Sequence, residues 1–388
     1  MIEIEKDSHE SLKNNPTDYT KISCINRINC GKITYPEFFS NFMLKNVPVI
    51  LTSISQNWQC EKWIKLDENA EKRMNFSQLR KEIPNIRVPV ANCSKPYFNS
   101  HEKSEMNFHD FLDCWEKGFK DDPLYLKDWH LRKELPNYQF YNVPEFFASD
   151  WLNETLCDED QDDYKFVYMG PKGTWTSFHC DVFSSFSWST NIVGRKMWFF
   201  LPPGEELKLK DRYGNLPFSI SQKVLEGKNV KFFIVTQRPG EAVFVPSGWF
   251  HQVHNLNDTI SINHNWFNGT QFKSIWKALE SNLIQVQREI DDCRDMDNFQ
   301  EHCQILLRTS FGMKIEDFLT IMQKIVQKTG ERTRYFEGFQ FGENHLLFDV
   351  ISIDYVLIDM LNSPTIEEKY IKKINEIRKE IETILKMK

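Results

Sequence analysis

Thr174-Trp-Thr-Ser-Phe-His179-Cys-Asp181 is the stretch on which both fold and chemistry turn. Its aromatic and hydroxyl-bearing residues favour a pleated strand. Side chains alternate along a strand with a period of two, so His179 and Asp181 are expected on one face of it. An imidazole and a carboxylate on one face can grip one cation, although a His-x-Asp pair alone is common and says little. A third ligand has to arrive from another strand. Pro246-Ser-Gly-Trp249-Phe-His251 offers one, because its turn follows the apolar run Val243-Phe-Val and delivers His251 to the mouth of a β domain. Two histidines and one carboxylate on one face leave coordination positions open, which suits non-haem Fe(II).

The surroundings read as β. Tyr164–Met169, Ser185–Val193, Lys196–Leu201, Lys231–Thr236, Glu241–Val245 and Thr259–Trp266 are short runs of strand formers. Turn formers such as Pro202-Pro203 and Pro239-Gly240 separate them. Strands this short and this closely spaced argue for a sandwich or barrel. Lys196 opens one of them among apolar neighbours. A buried ammonium without a partner is costly, so a bound anion is its natural companion. 2-Oxoglutarate is such an anion: its keto acid can chelate iron while its distal carboxylate needs a cation deep in the fold.

Upstream, residues 21–150 mix short apolar runs with helical signals. Lys45–Thr52 reads as a strand edged by Pro48, and the segments opening at Asn75 and Asn107 read as capped helices. Downstream of 270 the apolar period becomes helical, in Phe272–Glu289, Ile315–Gln327 and Ile366–Lys386. The expected organisation is a flexible N-terminus (1–20), a β-rich domain (21–269, core motifs 164–269) and a C-terminal helical region (270–388). The fold class is α+β. The last helix, rich in Lys, Glu and Ile, could pack internally or build a homodimer.

Composition excludes several classes. The 388 residues carry a net charge of −7, which gives no basic footprint for direct DNA binding. The nine cysteines are odd in number and form no C-x-x-C, so neither a disulfide framework nor a cysteine-rich zinc module is indicated. No apolar signal region and no run of 18 apolar residues occurs, so no membrane partner is expected and the expected compartment is the cytoplasm. Aromatic residues make up 14% of the chain, and Trp188, Trp198 and Trp249 are expected as core.

Together, the His-x-Asp, the Gly194-Arg-Lys196-Met-Trp…Pro-Pro203 segment and the Pro-Ser-Gly-Trp-Phe-His251 segment resemble the JmjC-domain oxygenases. The likeness spans 164–269 and extends to Phe186-Ser-Trp-Ser, Asn191-Ile-Val-Gly-Arg-Lys and Thr259-Ile-Ser-Ile-Asn-His-Asn-Trp-Phe-Asn-Gly. It implies a double-stranded β-helix (a jelly-roll, cupin-like barrel) with flanking N-terminal helices. It also implies Fe(II) with 2-oxoglutarate and O₂ as co-substrates. His179, Asp181 and His251 match the iron ligands, and Lys196 matches the lysine that pairs with the co-substrate. Thr176 and Tyr125 match hydroxyls that support that carboxylate, and Asn263 and Asn265 match a pair lining the same pocket. Ser189 stands where some related hydroxylases carry Asn, with Asn191 next on that face. A protein-hydroxylating branch of the family is the nearest in these motifs, implying lysyl C4 hydroxylation of the translation-termination release factor. Three alternatives stay open: a lysine demethylase, a hydroxylase of another protein or RNA, and an inactive barrel serving as a scaffold. His254 and His264 are not expected as ligands, and the acidic run Asp158–Asp163 reads as a solvated loop.

Overall fold

The computed structural model describes residues 1–13, 17–98, 100–119, 121–158, 163–331 and 334–387. Most of the Asp158–Asp163 run lies outside them.

The chain opens with β1 (Asn26–Asn29), the short helix α1 (Tyr35–Phe38) and β2 (Val49–Thr52), the last beginning just after Pro48. A small hairpin, β3 (Ile64–Leu66) and β4 (Lys72–Met74), precedes helix α2 (Phe76–Glu82). Asn75 caps α2 by accepting from the Gln78 N–H at 3.2 Å, as its position before the apolar run predicts. Then come β5 (Arg87–Tyr97), β6 (Ser100–Asn107), α3 (Phe108–Lys117), β7 (Leu124–Trp129), α4 (Leu131–Glu134) and α5 (Trp151–Asp158).

The core strands follow as β8 (Lys165–Gly170), β9 (Trp175–His179), β10 (Phe186–Val193), β11 (Lys196–Leu201), β12 (Phe233–Gln237), β13 (Ala242–Val245), β14 (Phe250–Asn255) and β15 (Thr259–Trp266). Helix α6 (Gln222–Gly227) lies between β11 and β12. Apart from β11 and β12, which pair within one sheet, consecutive core strands step between two facing sheets. One is nine-stranded, in the order β1-β2-β13-β10-β15-β8-β7-β5-β6; the other is four-stranded, β12-β11-β14-β9. This is a double-stranded β-helix within an α+β fold.

Alternation gives each sheet two chemistries. Phe186, Trp188, Ile192, Ile260, Ile262 and Trp266 turn to the outside of the large sheet and pack with Phe38, Phe42, Phe146 and Phe147. In the small sheet, Phe178, Phe199 and Leu201 face out and are covered by Leu209, Ile220, Leu225 and Val230, from the segment between β11 and β12. Trp198, Phe200 and Val253 face inward and meet Ile50, Val243 and Val245 across the barrel.

From residue 272 the chain is mostly helical: α7 (Phe272–Glu289), α8 (Phe299–Phe311), α9 (Ile315–Gly330), α10 (Glu343–Leu361) and α11 (Glu368–Lys386), with the hairpin β16 (Tyr335–Phe336) and β17 (Phe339–Gln340) before α10. The apolar stripe of α11, Tyr370, Ile374, Ile377 and Ile381, is covered within this chain by the other helices. Helix α10 has no counterpart in the sequence reading. Ten of its residues are buried, from His345 to Met360, and its opposite side is apolar too, with Leu347, Ile351 and Ile358, so no clear amphipathic stripe marks it. Arg334, fully buried, donates to Glu154 of α5 at 3.0 Å and pairs with Asp349 of α10, tying the helical region to the barrel's flank. No helix is long and apolar enough to cross a membrane among the described residues.

Candidate active site

His179 is the last residue of β9 and His251 the second of β14. The two strands pair with these residues directly opposite each other. Their rings lie 4.3 Å apart, centroid to centroid. Asp181 Oδ2 stands 4.0 Å from His251 Nε2, and one ligand atom from each of the three residues falls within 4.8 Å of the others. His179 Nδ1–H donates to the Ser177 carbonyl at 2.7 Å and His251 Nδ1–H to the Trp249 carbonyl at 3.0 Å. With Nδ1 so engaged, each Nε2 presents a lone pair, the arrangement in which histidine binds metals. Burial, reinforced by neighbouring His251, holds the His179 pKa down at about 4, so its ring is neutral at ordinary pH. Ser187 Oγ donates to Asp181 Oδ2 at 2.7 Å and orients the carboxylate.

One expectation is corrected here. Asp181 is not on the strand with His179, since β9 ends at His179. Asp181 begins a tight turn in which Phe183 and Ser184 both hold positive φ, at 58° and 54°. Such a conformation costs a non-glycine residue about 1–2 kcal/mol. Asp181 itself keeps an extended backbone, with φ of −61° and ψ of 149°, just past the end of the strand, and its carboxylate still reaches the histidines.

Lys196 is 2% exposed. Its Nζ donates to Ser261 Oγ at 2.6 Å and lies 3.5 Å from Tyr125 OH and 5.9 Å from the centre of the Tyr168 ring. Among the described residues no carboxylate pairs with it. Burial, and then the charge of Lys127, lower its pKa to about 7. Tyr125 reaches it across Gly170, where a Cβ would stand 2.5 Å from the phenol ring. Thr176 and His179 are three residues apart and would alternate apart in a regular strand. The β9–β14 register shifts between them, with Thr176 opposite Val253 and His179 opposite His251, so a bulge returns Thr176 to the ligand face.

Ser189 pairs with Asn263, Asn191 with Ser261, and Ser187 with Asn265, all on the inner face of the large sheet. Asn265 Nδ2 donates to Ser185 Oγ at 3.2 Å and Asn191 Nδ2 to the Gly194 carbonyl at 2.6 Å. Ser189 Oγ, Asn191 Oδ1 and Asn263 Oδ1 are buried with no hydrogen-bond partner among the described residues. Of these three, the Ser189 hydroxyl can donate to an anion held by the Lys196 ammonium, whereas the two amide oxygens accept only and need a donor such as an ordered water. The donor set suits Fe(II), and the polar pocket beside it suits 2-oxoglutarate.

Sequence reasoning passed over Ser187, Ser261 and Lys127. The two serines sit at the same alternation as Ser189 and Asn263, which was the available signal. Lys127 is 7% exposed, two residues beyond Tyr125 in a strand otherwise rich in apolar residues. Its charge also opposes protonation of His179 and His101. His264 faces the outer side, bonded to Tyr141 OH at 2.6 Å. His254 lies on β14, beyond the turn that leads to His251. It points away from the cluster, stacked on Trp175 and paired with Gln252. Trp188 and Trp249 are core. Trp198 is buried too, but lies on the inner face, 5.6 Å from the His251 ring.

A family model described as "JmjC domain, hydroxylase" matches residues 166–266, which gives the class. A Drosophila melanogaster protein, "2-oxoglutarate and iron-dependent oxygenase JMJD4 homolog", is 46% identical over 87% of this chain and 88% of its own. The Homo sapiens "2-oxoglutarate and iron-dependent oxygenase JMJD4" is 38% identical over 86% and 84%. An Arabidopsis thaliana "Arginine-specific demethylase JMJ20" is 35% identical over 90% and 82%. The chain belongs to the JMJD4 family of JmjC-domain, 2-oxoglutarate and iron-dependent oxygenases.

Proposed function

We propose that this chain is an Fe(II)- and 2-oxoglutarate-dependent protein hydroxylase whose iron ligands are His179, Asp181 and His251. The observation that carries the reading is the His–Asp–His cluster together with a buried lysine that has no carboxylate partner among the described residues. With iron bound, this chemistry uses O₂ to put one oxygen atom into a C–H bond and the other into succinate, with release of CO₂.

The residues' parts follow from their positions. Ser187 and the backbone carbonyls of Ser177 and Trp249 hold the three ligands in orientation. Lys196 receives the distal carboxylate of 2-oxoglutarate, with hydroxyl donors from Tyr125, Thr176 and Ser261. Ser189, Asn191, Asn263 and Asn265 complete the polar lining, and Trp198, Phe200 and Val253 keep bulk water from the reacting atoms.

The proposed reaction is C4 hydroxylation of a lysine in the translation-termination release factor, a protein partner met in the cytoplasm. Likeness over most of the chain to JMJD4 proteins, and the motifs shared with the protein-hydroxylating branch, support it. The Arabidopsis relative's name favours a second reading, demethylation of a methylated arginine, in which the hydroxylated methyl group leaves as formaldehyde.

Release factor incubated with the protein, Fe(II), ascorbate, 2-oxoglutarate and air is analysed by fragment mass spectrometry, beside Asp181→Ala. Gain of one oxygen on a lysine, absent with the variant, is the expected outcome. Consumption of 2-oxoglutarate without that gain discards the target, and formaldehyde from a methyl-arginine peptide favours the second reading. Turnover retained by Asp181→Ala would sink the ligand assignment.

A further inference from the structure

The turn that carries Asp181 is held from outside the barrel. Phe183 is 4% exposed, yet its ring belongs to the core of the C-terminal helical region, among Trp151, Phe272, Leu307, Met313 and Phe318. It meets Tyr164 edge-on at 5.2 Å and Phe311 at 6.1 Å. Its closest seat is Gly312, the residue that ends α8. There the backbone has φ of 100°, and a Cβ would stand 2.5 Å from Phe183 Cε1 and 3.1 Å from Cζ. Only glycine meets both demands at once.

The same turn is fastened on its other side. Ser247 Oγ donates to the Ser184 carbonyl at 2.6 Å, and the Ser247 N–H donates to Asn46 Oδ1 at 2.9 Å. Ser247 belongs to the turn that leads to His251. Two consecutive residues in a strained conformation persist only where the surroundings over-determine them. Here one side is determined by the His251 turn and the other by the end of a helix more than a hundred residues away in sequence.

We propose that Phe183 is a positioning residue for the iron site and that the helical region, through Gly312, sets where the Asp181 carboxylate stands. The inference rests on the reading of His179, Asp181 and His251 as metal ligands. Loss of the ring, or intrusion on its seat, releases the turn and lets the carboxylate drift while both histidines stay on their strands.

The test titrates Mn(II), a redox-inert stand-in for Fe(II), into the metal-free full chain, reading the free ion by electron paramagnetic resonance. Melting temperature is measured on the same samples without metal. Phe183→Ala and Gly312→Ala are expected to weaken Mn(II) binding about tenfold or more, the scale on which outer supports of metal ligands act. Gly118→Ala, at a helix end with φ of 81° and nothing within 4 Å of an added Cβ, imposes the backbone strain alone and is expected to lower the melting temperature without changing Mn(II) affinity. Phe183→Leu, which keeps an apolar plug, is expected to recover most of the loss. Wild-type affinity in Phe183→Ala and Gly312→Ala, whatever their melting temperatures, reduces Phe183 to core packing and overturns the proposal. Should Phe183→Ala fail to fold, Gly312→Ala against Gly118→Ala decides the matter. No Mn(II) binding by the wild-type chain overturns the metal site itself, and the proposal with it.

Discussion

The two faces of strands β10 and β15 are built from alternate residues of the same segments, yet they do different work. The outer face, with Phe186, Trp188, Ile260, Ile262 and Trp266, is an aromatic and aliphatic surface closed by the N-terminal helices. Its orphaned polar atoms are the indole N–H groups of Trp188 and Trp266 and the hydroxyl of Thr190. The inner face, with Ser187, Ser189, Asn191, Ser261, Asn263 and Asn265, is polar throughout. Its orphans among the described residues include the oxygen atoms of Ser189, Asn191 and Asn263, on the face that also presents Ser261 to the Lys196 ammonium. The outer face favours stability. The inner face gives some of it up, because buried polar groups left without partners cost free energy until a ligand satisfies them.

The largest expected effect tests the outer face. Trp188 stacks on Phe147 at 5.3 Å, lies tilted against His264 at 4.2 Å, and is fully buried. Trp188→Ala should destabilise the protein by about 3–5 kcal/mol, measured by chemical denaturation. The folded fraction should bind 2-oxoglutarate as before; a large loss of affinity would break the division between the faces.

Next comes Lys196→Met, which removes the ammonium and keeps most of the unbranched side chain. Losing a charge-assisted contact worth about 1.5–3 kcal/mol should weaken 2-oxoglutarate binding roughly 10- to 100-fold. Stability should hold or rise, since an unpaired buried charge is removed. A marked drop in melting temperature without loss of affinity would make Lys196 a structural residue.

The pH dependence of that binding follows from the depressed pKa. Burial, and then the charge of Lys127, holds Lys196 at about 7. A bound carboxylate favours the ammonium and raises that value, so binding above pH 7 takes up a proton. Affinity for 2-oxoglutarate should therefore be level below pH 7 and fall about tenfold per unit above it. Isothermal titration at pH 6.5, 7.5 and 8.5 reads the slope. Lys196→Arg, which stays charged throughout, should flatten it.

Much of the inner face was legible because metal and anion chemistry is written in few residues. His179, Asp181, His251 and Lys196 stand in short segments that say little singly and point to one site when read together. The geometry that assembles them was less legible. The turn after Asp181 carries phenylalanine and serine at positive φ, and neither residue signals that conformation as glycine or asparagine would. The bulge that returns Thr176 to the ligand face leaves no mark in Trp175-Thr-Ser-Phe-His179. Strands β5 and β6 were hidden as well, because their exposed polar residues do not alternate clearly with apolar ones. Helix α10 was hidden for the opposite reason, being apolar on nearly every side.

The smallest expected effect is the sharpest test of the comparison, because it sets two neighbours against each other. Ser189 and Thr190 adjoin on β10, are 3% and 0% exposed, and each holds a hydroxyl without a partner. Ser189 looks into the pocket and Thr190 away from it. Ser189→Ala and Thr190→Val both remove an unsatisfied hydroxyl, so each should raise stability by about 1 kcal/mol. Only Ser189→Ala should weaken 2-oxoglutarate binding, by about threefold, because only that hydroxyl gains a partner from the ligand. Equal affinities in the two variants would mean that the orphaned oxygen of Ser189 is an accident of packing, and the polar inner face would then owe its co-substrate binding to Lys196 alone.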